Sequence, residues 1–249
     1  MKMSRGAACL GSMWLGLPIA LAGTSALSLL ASTPTSSPVD VFNRANVHDD
    51  PKPGLVECAN LVYSNNKSSV CFSPKFLQQL EDETNVVTSR KFATVQAESA
   101  ELFGFPFAVM SGEGAFTLTQ AQRDNLRDYL GNGGFLVASA GCSSTPWSTS
   151  FRQEIAQIFP DQKLVKLELS HPIFHEVYEI NRLDTTHNRS GGEAHLEGLE
   201  IDGRIVLVFS SDGLNDTANA GGKCCCCGGD EIRNARQINV NLLAYALTH

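Results

Sequence analysis

The sequence predicts a three-layer α/β domain, a mostly parallel sheet with an antiparallel β-hairpin, and three observations lead there. Leu55–Tyr63, Phe105–Ser111 and Phe135–Ser139 are largely apolar runs of strand length, as expected of strands covered on both faces. Between them lie segments with helix-start signals and apolar residues at three-and-four spacing. The joints are short, so strand, helix and strand alternate in an order that favours parallel pairing through right-handed crossovers.

The elements follow in chain order. After Leu55–Tyr63, Ser73-Pro74 opens a helix with Phe76, Leu77 and Leu80 on one face. Val86–Thr88 is a short strand, and Phe105–Ser111 a longer one that ends in Gly112-Glu113-Gly114. Thr119-Gln120-Ala121-Gln122 fits a capping box, and the helix it starts carries Leu126, Tyr129 and Leu130 before Gly131, Gly133 and Gly134 stop it. Phe135–Ser139 is a buried strand. Ser150-Phe151-Arg152-Gln153 opens the next helix, with Ile155, Ile158 and Phe159 on its apolar face and Pro160 after it. Lys163–Leu169 alternates as a strand. Leu196–Ile201 and Arg204–Phe209 flank Asp202-Gly203, a turn pair that supports an antiparallel hairpin. Ile238, Leu242, Tyr245 and Ala246 give a closing helix its stripe.

The chain has 249 residues, 43% hydrophobic and 18% charged, which excludes a disordered polymer and leaves enough core that disulfides and metals are not needed to hold the fold. A net charge of −7 without a basic stripe argues against nucleic acid as a partner. Lys2 and Arg5 precede an uncharged stretch through Ala31, the layout of an export signal over residues 1–31. A membrane contact is then expected only through an uncleaved signal, and the location is periplasmic or extracellular. Pro34, Pro38, Pro51 and Pro53 among Ser, Thr and Asp mark residues 32–53 as a disordered linker, with the domain over 54–249.

In open parallel sheets ligands bind beyond the carboxyl ends of the strands. Ser64–Cys71, Ser111–Gly114, Ala140–Ser144, Ser170-His171-Pro172 and Ser210–Cys227 all follow strands, so they are expected on one rim. Cys224-Cys225-Cys226-Cys227 is the least ordinary of them. Two of its thiolates with Cys71, Cys142 or His171 would make a metal site, zinc by ligand chemistry. Disulfides are the other reading, since export implies an oxidising compartment. Seven of the eight cysteines lie beyond the signal, an odd number, so at least one is free, metal-bound or linked to a partner. Cys142, in a small-residue turn past a buried strand, is the candidate nucleophile, with His171 as base and Glu113 polarising a substrate or holding a ligand amine. His195-Leu196-Glu197 has the spacing of an amidase pair but precedes the hairpin, and is read as coincidence.

Pro106–Phe116, Leu130-Gly131-Asn132-Gly133-Gly134-Phe135-Leu136, Ser170-His171-Pro172-Ile173-Phe174 and Asn239–His249 together resemble the bacterial domain-of-unknown-function 4159 family, over about Leu55 to His249. The resemblance implies a flavodoxin/glutamine amidotransferase-like sheet of class I, related to trehalose-utilisation-like proteins, and a periplasmic location, without an assigned activity. Many members carry His where this chain has Glu113. The expected function is an exported module that binds a small ligand, a metal or a protein partner. A thiol-dependent hydrolase or amidase using Cys142, and a metal site on the Cys224–Cys227 loop, are the alternatives.

Overall fold

The computed structural model describes residues 54–68, 70–187, 193–221, 224 and 231–249. The expected signal and linker, and Cys225, Cys226 and Cys227, lie outside the described residues. Within them, seven strands form one sheet: β1 (Leu55–Val62), β2 (Val87–Gln96), β3 (Phe107–Gly112), β4 (Phe135–Ala140), β5 (Val165–Lys166), β6 (Glu197–Ile201) and β7 (Arg204–Ser210). Their order is β2-β1-β3-β4-β7-β6-β5. The first five strands of that order run parallel, while β6 is antiparallel to β7 and β5 to β6. Asp202 (φ 51°) and Gly203 (φ 81°) make the expected two-residue hairpin turn, because both central residues must be left-handed for the turn to match the strand twist.

Helices α1 (Lys75–Glu83) and α4 (Ala235–Thr248) cover one face, and α2 (Gln120–Gly131) and α3 (Thr145–Ile158) the other. Phe76, Leu77, Ile238 and Leu242 pack with Val109, Val137 and Val208 on the first face. On the second, Leu126, Leu130 and Ile155 pack with Met110 and Leu136, and the rings of Trp147, Phe151 and Phe209 stack at 5.3 and 4.9 Å. Each such buried side chain contributes roughly 1.5–3 kcal/mol by removal from water, so the two cores set the sheet's position between its helices.

Three boundaries differ from those expected. β2 runs ten residues, well past Thr88, because it is an edge strand that tolerates Ser89-Arg90-Lys91 in a bulge with Arg90 at φ 57°. Glu81 holds that bulge by accepting from the Thr88 N–H at 2.6 Å and pairing with Arg90. Helix α3 starts at Thr145 instead of Ser150. Ser144 supplies its cap by accepting from the Trp147 N–H, Pro146 suits its first turn, and the Ser150 hydroxyl instead accepts from the Phe116 N–H at 3.1 Å. Of Lys163–Leu169 only Val165 and Lys166 form a strand, because the chain turns at Glu168, whose carbonyl accepts from the His171 N–H.

Candidate functional site

From β1 the chain passes to β2 on one side and then to β3 on the other, so the switch-point crevice lies over the carboxyl ends of β1 and β3. Tyr63 stands at its base. The Tyr63 hydroxyl donates to the Ser111 carbonyl at 3.1 Å and accepts from Trp147 Nε1 at 2.7 Å, and burial pushes its pKa up to about 12, partly opposed by the Trp147 bond. Gln122, the capping-box residue of α2, also accepts from the Ser64 N–H at 3.1 Å, fixing the loop after β1. Lys67 donates to the Ala115 carbonyl at 2.7 Å, and Ser144 Oγ accepts from the Gly114 N–H at 3.1 Å. The loops after β1, β3 and β4 are thereby joined along one rim.

A row of serines lies beneath this rim. Ser111 pairs in register with Ser139, and Ser139 with Ser210, all three fully buried at the carboxyl ends of β3, β4 and β7. They follow Val109, Val137 and Val208 by two residues, so they face the same side of the sheet as α4. Each engages the segment after β7. Ser139 Oγ accepts from the Leu214 N–H at 2.7 Å, Ser210 Oγ from the Gly213 N–H at 3.0 Å, and Ser111 Oγ donates to Asn215 Oδ1 at 3.1 Å. From α4, Asn239 Nδ2 donates to the Leu214 carbonyl at 2.8 Å. Ser73, before α1, donates from its N–H to the Asn215 carbonyl at 2.8 Å and from its hydroxyl to the Asn219 carbonyl at 2.9 Å. Residues 211–220 therefore form a strap seated on the ends of the central strands, and one of its own residues, Leu214, is fully buried there.

Cys71, Cys142 and Cys224 lie in loops of this same rim as disulfide cysteines. Cys71 is bonded to Cys224, across 153 residues of sequence, and Cys142 is likewise disulfide-bonded. Cys58 is free and fully buried in β1, where desolvation raises its thiol pKa far above the ordinary range. Cys142 Sγ lies 3.2 Å from Glu113 Oε1. A disulfide sulfur has no proton to donate, so this is a sulfur–oxygen contact rather than a hydrogen bond. Cys142 and Ser143 both adopt φ 51°, consecutive left-handed residues between β4 and α3 that cost of order 1–3 kcal/mol each.

The structure unites Glu113 with Cys142 and Cys71 with Cys224, but it separates His171 from all of them. The His171 ring is 5.9 Å from that of Tyr245, near the carboxyl end of α4. The Tyr245 hydroxyl accepts from the Ile205 N–H at the start of β7, five residues or about 16 Å of strand from Ser210. His171 is a cap: its Nδ1 accepts from the Ile173 N–H at 3.1 Å, opening the 3-10 turn Pro172–Phe174. The expectation that Ser170-His171-Pro172 shares the rim fails because β5 is short and the chain folds back across the α4 face.

Two further expectations change. The metal set loses Cys71 and Cys224 to their mutual bond, and no group of three His, Cys, Asp or Glu side chains among the described residues could hold an ion. The nucleophile reading of Cys142 meets an oxidised sulfur. Glu197 of His195-Leu196-Glu197 is engaged by Arg152, whose guanidinium lies 4.6 Å over the Phe209 ring.

Fold and rim define a doubly wound α/β domain in which residues 211–220 seat on the carboxyl ends of β3, β4 and β7 and whose border carries a disulfide cross-link. The chain belongs to the family described as domain of unknown function DUF4159, whose model matches residues 57–247. Comparison with curated proteins finds no match.

Proposed function

We propose that this is an exported binding module of class I glutamine amidotransferase-like fold, which docks a protein partner on its oxidised carboxyl rim and turns nothing over. The observation that carries this reading is the strap. With residues 211–220 hydrogen-bonded to Ser111, Ser139, Ser210 and Asn239, the carboxyl ends of β3, β4 and β7 are covered by the chain itself, and recognition falls to the outer rim around Lys67, Glu113 and Cys142. The Cys71–Cys224 bond supports an oxidising compartment and hence export. The parallel order β2-β1-β3-β4-β7, the winding of flavodoxin-type sheets, supports the relationship to amidotransferases. Fold alone assigns no reaction, since function resides in sites.

One observation favours a second reading. Cys142 sits at left-handed φ between a buried strand and a helix, the placement of a strained nucleophile turn, so the reduced thiol would be a hydrolase nucleophile beside Glu113. The experiment that separates the readings measures turnover of an activated ester and an activated amide by the oxidised protein, the reduced protein and Cys142→Ala. Equal, background rates in all three support the binding module. Turnover that appears on reduction and vanishes in Cys142→Ala replaces it with the hydrolase.

A further inference from the structure

We propose that the cleft between the chain leaving β5 and the turn that leads into α4 is a binding site for an aliphatic α-carboxylate, with Arg233 as its anion clamp. That chemistry belongs to the terminus of a peptide chain and to a free amino acid. The site shares no residue with the outer rim around Lys67, Glu113 and Cys142, so it stands whether or not that rim docks a partner.

The cleft has a volume of about 690 Å³, within the range of small-molecule pockets. Leu169, Leu183 and Ala194 give it an apolar wall, and Arg182, Asp184 and Arg233 are among its polar residues. The same three apolar residues, with the buried Leu167, border an adjoining hollow of about 90 Å³, room for one aliphatic side chain. Glu168 and Glu193 border it too and offer carboxylates to the α-amine that a free amino acid carries and a chain terminus lacks.

Arg233 is positioned before it meets any ligand. An antiparallel bridge between Thr185 and Ile232 sets its backbone, whose N–H donates to the Asp184 carbonyl at 2.8 Å. The guanidinium folds back on the same segment, Nε donating to the Thr185 carbonyl at 3.0 Å and Nη2 to the Thr186 carbonyl at 3.1 Å. Those bonds use one side of the fork and fix its plane. They leave Nη1–H and the second Nη2–H at its tip, the pair that grips both oxygens of a carboxylate. The acids of the cleft are engaged elsewhere: Arg182 holds Asp184 at 2.7 Å and Lys166 faces Glu193 at 3.8 Å. Arg233 itself makes no ion pair among the described residues, and its carbonyl partners hold it without neutralising it. An inorganic anion would use the guanidinium and leave the apolar wall in water, whereas an aliphatic carboxylate uses both.

The test is isothermal titration calorimetry on the full, oxidised chain with acetyl-Ala-Ala-Leu as the probe. Its C-terminal amide, which lacks the carboxylate, and acetyl-Ala-Ala-Gly, which lacks the aliphatic side chain, are each expected to bind at least about tenfold more weakly. Arg233→Gln is expected to weaken the probe at least about tenfold, and Arg233→Lys, which keeps the charge without the fork, at least about threefold. Leucine itself forms the second arm: tighter binding than the tripeptide assigns the site to a free amino acid, and weaker binding to a chain terminus. No binding of either up to about 10 mM overturns the site, as does equal affinity for the acid and either control, or for the wild type and Arg233→Gln. Inorganic phosphate that binds as tightly as the tripeptide overturns the aliphatic carboxylate. Should Arg233→Gln lower the melting temperature, the amide and glycine controls on the wild-type chain decide alone.

Discussion

The Nε1–H of Trp147 donates to the Tyr63 hydroxyl directly against the backbone of Gly112, so closely that a Cβ at position 112 would collide with that hydroxyl and lie 3.0 Å from Trp147 Nε1. Backbone approach of this kind explains glycine there without any need for an unusual φ. It also makes the loop carrying Glu113 depend on an aromatic pair from β1 and α3.

Gly112→Ala is therefore expected to destabilise the protein by about 1–3 kcal/mol through overpacking. Tyr63→Phe removes the colliding oxygen but leaves Trp147 Nε1 without its acceptor, at about 1–3 kcal/mol. Because both changes act on one contact, the double variant should lose less than the sum of the two. Urea unfolding of the four proteins checks this, and strict additivity would show that Gly112 is not constrained by Tyr63.

Cys58 separates packing from chemistry among the cysteines. It is fully buried with a strongly raised thiol pKa, whereas Cys71, Cys142 and Cys224 carry no thiol. Iodoacetamide on the native, unreduced protein should leave all four unlabelled. In denaturant without reductant, Cys58 alone of these four should react. Peptide mapping by mass spectrometry checks the pattern, and native labelling at Cys142 would contradict its oxidised state.

Much of this architecture was legible in the residues because apolar runs and caps are local signals. The capping box at Thr119 and Gln122, the Asp202-Gly203 turn and the stripe of α4 each formed as their spacing demanded. The strap was not legible, because which hydroxyl meets Leu214 depends on register between strands far apart in sequence. A weak signal did exist: Phe107-Ala108-Val109-Met110-Ser111 and Phe135-Leu136-Val137-Ala138-Ser139 place Ser at the same step after the same apolar pattern. His171 misled for a related reason. The residue follows a strand in sequence, but the return of the chain across α4 is a tertiary event with no local marker.

The serine row predicts a loss that a surface role would not show. Ser139→Ala leaves the buried Leu214 N–H without an acceptor, which should cost about 1–3 kcal/mol, whereas Ser143→Ala, which removes a longer 3.3 Å bond to the Asp212 carbonyl at a partly exposed position, should cost less than about 1 kcal/mol. Thermal unfolding of both variants checks the ordering. Equal losses would mean that the strap does not rest on Ser139.

Two histidines set the pH dependence of stability in opposite senses. His175 Nε2 faces the Leu169 carbonyl at 2.7 Å and Nδ1 faces a Glu179 carboxylate oxygen at 2.7 Å, so both nitrogens must carry protons. The Leu169 bond first, and Glu179 second, raise its pKa above the usual 6.5. Its contribution is thus complete below about 6.5 and is lost as pH rises through the higher folded value. His171 must keep Nδ1 unprotonated to accept from Ile173, and burial lowers its pKa below 6.5 against the weaker opposing effect of Glu200. Its contribution is complete above about 6.5 and is lost as pH falls through the lower folded value. The two together place a stability maximum near pH 6.5 within the histidine range. Melting temperatures measured from about pH 5 to 8 should show His175→Gln flattening the alkaline limb, and His171→Asn, which retains a capping oxygen, flattening the acid limb. If both variants keep the wild-type slopes, neither histidine has the protonation state that its partners require.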